Sequence, residues 1–240
     1  MRFRKALGDT KTIMKKRNIV LLILLLLAID QAIKIYVKTH FYYGEEYYVF
    51  GQNWFRLHFL ENPGMAWGLK FGEGYLAKVV LILFRLAAIV WGTFYIKKMI
   101  SKGYAKIFII CAAFIYAGAL GNLIDGAFYG IIFEKSDPAL QNIAKIFPSG
   151  GGYSGFLNGN VVDMWFFPII DTRLPDWLPQ WGGNKFTFFD PVFNTADVWI
   201  STGVISLLIF QNKRRKDLKI SNKKKSKYIE GNGTVLNNDQ

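Results

Sequence analysis

Polar and apolar positions are segregated on a long scale along this chain. Four apolar blocks stand out: Ile19–Val37, Leu76–Ile96, Ile107–Ile124 and a run from Asn194 to Phe210. Each suits a helix crossing a bilayer core about 30 Å thick. The pattern predicts four spans, with an outer segment at 38–75 and a longer one at 126–193. The blocks are not purely apolar. Asp30 and Lys34 share a helix face at i and i+4 and can pair. Arg85 lies inside the second block, where an ordinary reading is a cation that pairs or snorkels. Asp125 closes the third block, and Asp197 lies in the first turn of the fourth.

The outer segments read differently. Tyr42, Tyr43, Tyr47, Tyr48 and Trp54 suit a membrane–water interface. Phe55-Arg56-Leu57-His58-Phe59 alternates like a strand, Asn62-Pro63-Gly64 signals a turn, and Ala66-Trp67-Gly68-Leu69 offers a returning strand. A small β-element is therefore expected on the membrane surface. In the second outer segment, Gly159–Phe167 sets the carboxylate of Asp163 in an apolar, aromatic stretch, expected against the membrane or under the β-element. Residues 171–190 are more polar and are expected to face solvent.

Charge adds orientation. Thirty Lys and Arg against 17 Asp and Glu give a net +13 over 240 residues. The excess collects before the first block, between the second and third, and after the fourth. Nucleic-acid binding would call for a basic folded face. Positive charge flanking alternate spans places both termini on the cytoplasmic side and suits contact with anionic lipids. The expected organisation is a basic N-terminus over 1–18, a four-span domain over 19–211, and a basic, disordered tail over 212–240. Cys111 has no partner for a disulfide, and His40 and His58 lack neighbours at metal-ligand spacing.

The remaining chemistry is carboxylate chemistry. Asp197 lies 17 residues before Arg214, and Asp125 lies 19 residues after Lys106. At about 1.5 Å per residue both reach roughly the same outer level, about 25–28 Å from the basic flank. An ionisable group at that depth is costly unless it is used. For Asp197 alone, capping of a helix is the plain alternative. Two acids in a partly apolar site can share one proton, so that one activates water and the other donates to a carbonyl oxygen. That chemistry needs no metal and no cofactor. Spacing alone leaves a different intramembrane aspartyl protease open as the nearest enzymatic alternative, and two non-enzymatic ones beside it. A transporter would want carboxylates at mid-bilayer and paired discontinuous helices. A membrane scaffold would tolerate amides at Asp163 and Asp197.

The motifs Asp30-x-x-x-Lys34, Glu61-Asn62-Pro63-Gly64-Met65-Ala66-Trp67-Gly68, Gly118-Ala119-Leu120-Gly121-Asn122-Leu123-Ile124-Asp125, Val161-Val162-Asp163 and Phe193-Asn194-Thr195-Ala196-Asp197 follow one another on this layout. In that order they resemble lipoprotein signal peptidase, signal peptidase II, over roughly residues 19–211. The resemblance implies an all-α membrane protein of four transmembrane helices with a small periplasmic β-cradle and extended outer loops. It implies a monomeric enzyme of the bacterial inner membrane that works on lipid-modified prolipoproteins among membrane lipids. Asp163 and Asp197 fall on the family's catalytic pair. Asp30, Lys34, Asn62, Gly64, Asn122, Asp125 and Asn194 fall on its supports and substrate contacts. One departure stands out: the family usually has Arg where this chain has Gly126. The second outer segment is also longer than the family norm, before Asp163 and again between Asp163 and Asp197, and a residue of that insertion such as Arg173 is the expected source of the missing cation.

Overall fold

The computed structural model describes residues 16–63 and 75–212. Each apolar block is a helix. Helix α1 is Lys16–His40, α2 Tyr75–Ser101 and α3 Lys106–Ile124, and the last block is helical over 195–212. Three helices among the described residues are long and apolar enough to cross a membrane, within Lys16–His40, Lys78–Ser101 and Lys106–Ile132. Helix α3 continues through one wide turn, Asp125–Tyr129, into a short helix α4, Gly130–Ile132. The helix over 195–212 is α5.

Large apolar side chains point outward from these helices. Leu25 on α1 is 58% exposed, Phe84 on α2 71%, and Ile209 on α5 58%. A water-soluble bundle would turn these inward, whereas lipid tails are as apolar as leucine. The chain is a multi-pass membrane protein on this ground. Helix α3 is the most enclosed of the three long spans. Its small residues allow that. A Cβ on Gly118 would strike the backbone carbonyl of Ala196, and one on Gly121 would strike the carboxylate of Asp30. Glycine thus lets α5 approach α3 at backbone distance and makes room on α3 for the Asp30 side chain of α1.

The outer β-element is larger than the alternation at Phe55–Phe59 predicts. Strands β1 (Glu46–Tyr48), β2 (Arg56–Asn62), β3 (Val161–Phe166) and β6 (Val192–Phe193) form one antiparallel sheet in the order β1-β2-β3-β6. The stretch around Asp163 does not lie beneath this sheet; it is one of its central strands. The returning strand expected at Ala66–Leu69 lies outside the described residues. Strands β4 (Ile170–Arg173) and β5 (Lys185–Phe188) pair as a separate exposed hairpin, in keeping with a solvent-facing 171–190.

Strand alternation gives β3 two faces. Val162 and Met164 pack with Val37, Phe59, Tyr129 and Phe133 in the core under the sheet. Asp163 turns the other way. The register with β2 slips between Leu57 and Leu60, so that Leu60 faces Asp163 and Asn62 faces Val161. One extra residue in β2 is the signature of a bulge, a device that re-aims side chains. Here it brings the amide of Asn62 to the carboxylate of Asp163.

Candidate active site

Two carboxylates from distant parts of the chain open onto one cavity of about 530 Å³. Asp163 arrives from the middle of β3, and Asp197 from the first turn of α5. The cavity is also lined by Asn62, Arg85, Asn122 and Asn194, with apolar walls that include Phe193 and Ile205.

The start of α5 follows from local sequence. Asn194 is the cap residue: its Oδ1 accepts from the backbone N–H of Asp197 at 3.1 Å. The Asp197 carboxylate returns the bond, accepting from the Asn194 N–H at 3.2 Å. This is a reciprocal capping box with an Asp in the third helical position. Its consequence reaches further. With Asn194 Oδ1 held by a donor, Asn194 Nδ2 faces Asp163 and donates to its Oδ1 at 2.6 Å. One residue thus holds both acids.

Asn122 does the same from α3. Its Oδ1 accepts from Lys34 Nζ at 2.9 Å, and an ammonium can only donate. Asn122 Nδ2 is therefore turned to Asp197 Oδ1, at 3.1 Å. Asn62 Nδ2 donates to Asp163 Oδ2 at 3.1 Å. Each acid receives two donors, and at Asn122 and Asn194 the amide orientation is set by a partner that cannot reverse.

Behind the amides lies a fully buried ionic cluster. Lys34 Nζ pairs with Asp30 at 3.0 Å and Asp125 at 2.7 Å. Gln31 Nε2 donates to Asp30 at 3.1 Å and to Asp125 at 2.9 Å, and Tyr129 donates to Gln31 Oε1 at 3.1 Å. These side chains do not line the cavity, and Asn122 is their hydrogen-bond link to it. Burial, and then the charge of Asp197, push the Asp163 carboxyl up to about 7, against the bonds from Asn194 and Asn62. A carboxyl in that state carries its proton near neutral pH and can donate it.

A family model described as signal peptidase (SPase) II matches residues 22–212. The chain belongs to the signal peptidase II family. It is 47% identical over 189 residues to the lipoprotein signal peptidase of Porphyromonas gingivalis, covering 78% of this chain and 80% of that protein. It is 35% identical over 192 residues to the lipoprotein signal peptidase of Amoebophilus asiaticus, covering 78% and 74%. A solved bacterial membrane enzyme shares the fold at a TM-score of 0.53 with 22% identity, covering 84% of this chain and 92% of that one. A second does so at 0.51 with 20% identity, covering 82% and 93%.

In this family member, Asp163, Asp197, Asn62, Asn122 and Asn194 meet at the cavity. Asp30, Lys34 and Asp125 meet behind it. Gly64 lies outside the described residues. Arg173 is exposed on β4 and is not among the cavity's lining residues, so the insertion does not bring it to the site. Among the described residues the lining cation is Arg85 of α2 instead. Sequence reasoning also passed over Gln31 and Lys38. Lys38 is buried, paired with Glu61, bonded to Ser136 at 3.0 Å, and set over the rings of Phe59, Phe133 and Tyr153. The signal was present, because Asp30, Lys34 and Lys38 recur at i, i+4 and i+8 on one helix face.

Proposed function

We propose that this chain is a membrane aspartic endopeptidase that cleaves the signal peptide from diacylglyceryl-modified bacterial prolipoproteins, immediately before the lipidated cysteine. The observation that carries the reading is Asn194, which bonds Asp163 through its side chain and Asp197 through its backbone. Two acids held by one residue at one cavity support a shared attack on one water.

The roles follow from the environments. Asp163 holds the shared proton and donates it to the scissile carbonyl oxygen. Asp197 takes a proton from the attacking water, so that hydroxide adds to the carbonyl carbon. The tetrahedral intermediate then collapses, with the leaving nitrogen protonated from Asp197 and the proton on the former carbonyl oxygen returned to Asp163. Asn62, Asn122 and Asn194 keep the acids aimed while charge moves between them. Asp30, Lys34 and Asp125 hold Asn122 in turn.

The site opens at the end of the bundle that carries the sheet and the outer segments. In the proposed orientation both termini are cytoplasmic, in the inner membrane, and the site faces the periplasm. The acyl chains of the substrate remain in the bilayer, so the lipidated cysteine presents its peptide bond at headgroup depth. The test is cleavage of a diacylglyceryl prolipoprotein by the purified full chain. Asp163→Asn and Asp197→Asn are each expected to lose activity, and the double variant to be little worse than either. Near wild-type turnover by a well-folded single variant would rule out the dyad.

A further inference from the structure

Arg85 sits midway along α2, between Phe84 and Leu86, in a segment that otherwise faces lipid or α3. An arginine that merely tolerates such a position should pair with a carboxylate or reach along the helix to the interface. It does neither. Among the described residues no carboxylate lies within ion-pairing distance of it, and its one hydrogen bond there is a long one, Nη1 to the Asn122 carbonyl at 3.4 Å. Arg85 instead lines the cavity with both acids. A guanidinium has five N–H donors in a planar fork, so most of them are unspent among the described residues.

Room for the guanidinium comes from α3. Gly126 does not adopt a left-handed backbone, so its conformation does not require glycine. A Cβ there would lie 3.1 Å from Ile82 Cδ1 and 3.7 Å from Arg85 Nη1. The missing side chain leaves a bay that α2 fills from the opposite wall, and Arg85 is what α2 places in it.

We propose that Arg85 is a substrate-binding residue, donating to a main-chain carbonyl of the peptide that flanks the scissile bond. This rests on the peptidase reading above. The acceptor is a neutral carbonyl because the cavity that Arg85 lines already holds the Asp197 carboxylate. An anionic group, such as a lipid phosphate, would enter the field of that carboxylate and be opposed. A peptide carbonyl accepts the donors without adding charge.

The test uses the purified full chain, a diacylglyceryl prolipoprotein and a melting curve for each variant. Arg85→Gln is expected to raise KM about 10- to 100-fold, the range for losing a hydrogen bond to a charged group, with kcat changed by less than about threefold. Arg85→Lys is expected to recover part of that loss. In Arg85→Ala/Gly126→Arg the guanidinium re-enters the same bay from α3, and KM is expected to return to within about fivefold of wild type. That double variant also decides the matter if Arg85→Gln alone folds poorly. Arg85→Gln with wild-type KM, or a double variant that folds yet binds no better than Arg85→Ala, overturns the assignment. Wild-type protein and Asp163→Asn run alongside. An inactive wild type removes the peptidase reading together with this one, whereas an active wild type beside an unaffected Arg85→Gln removes this one alone.

Discussion

Asp163→Asn tests the shared proton through stability as well as activity. The carboxyl rises from 3.8 to about 7 on folding, and the side chain is 5% exposed. An acid raised in this way stabilises the fold fully below its unfolded value. The contribution is lost as pH climbs from there to the folded value, because the unfolded chain ionises first. Between pH 5 and 7 the loss spans about two units at about 1.4 kcal/mol each, roughly 3 kcal/mol. The amide in the variant does not titrate. It can still accept from one of Asn62 and Asn194, but its own NH₂ must face the other donor. That mismatch costs about 1–3 kcal/mol and does not depend on pH. The melting temperature of wild type, relative to Asp163→Asn, should therefore fall as pH rises from 5 to 7. At about 2–4 °C per kcal/mol for a chain of this size, the change in the gap is about 6–12 °C. Purified protein in detergent, scanned by tryptophan fluorescence at half-unit pH steps, measures it. Turnover should drop about 100- to 10,000-fold in the variant, and wild-type activity should decline above about pH 7 as Asp163 loses its proton. A gap constant to within about 2 °C across this range would show that Asp163 is not the proton holder.

Three further outcomes follow from the packing. Lys34→Met strands Asp30 and Asp125 in a fully buried site, and should cost about 3–5 kcal/mol, read as lost abundance and melting temperature; a stable variant at normal abundance would contradict the ionic cluster. Gly118→Ala drives a methyl into the Ala196 carbonyl, so α5 must shift; about 1–3 kcal/mol and most of the cleavage activity should be lost together, and an unaffected variant would mean that α5 does not pack this closely. A reporter fused after Gln240 should read as cytoplasmic, and a periplasmic signal there would invert the proposed orientation.

What the chain revealed on its own was what depends on near neighbours. Apolar blocks mark the helices because burying backbone in lipid requires every N–H and C=O to bond within its own segment. Asp30 and Lys34 meet because a helix brings i and i+4 together, and Asn194 and Asp197 meet because a helix start leaves N–H groups to be capped. The candidate acids were legible through resemblance of ordered motifs rather than through any spacing between Asp163 and Asp197. Tertiary structure decided everything that joins distant segments. It made β3 a central strand, since a short apolar run does not announce its sheet partner, and a single bulge in β2 sets which amide meets Asp163. It brought Asp125 to Lys34 and turned Asn122 between them and Asp197. It also set Arg85, rather than Arg173, in the bay beside Gly126. Hydropathy is a one-dimensional record of depth. Which way a helix turns about its own axis, and which neighbour fills the space a glycine leaves, depend on the packing of all the helices at once.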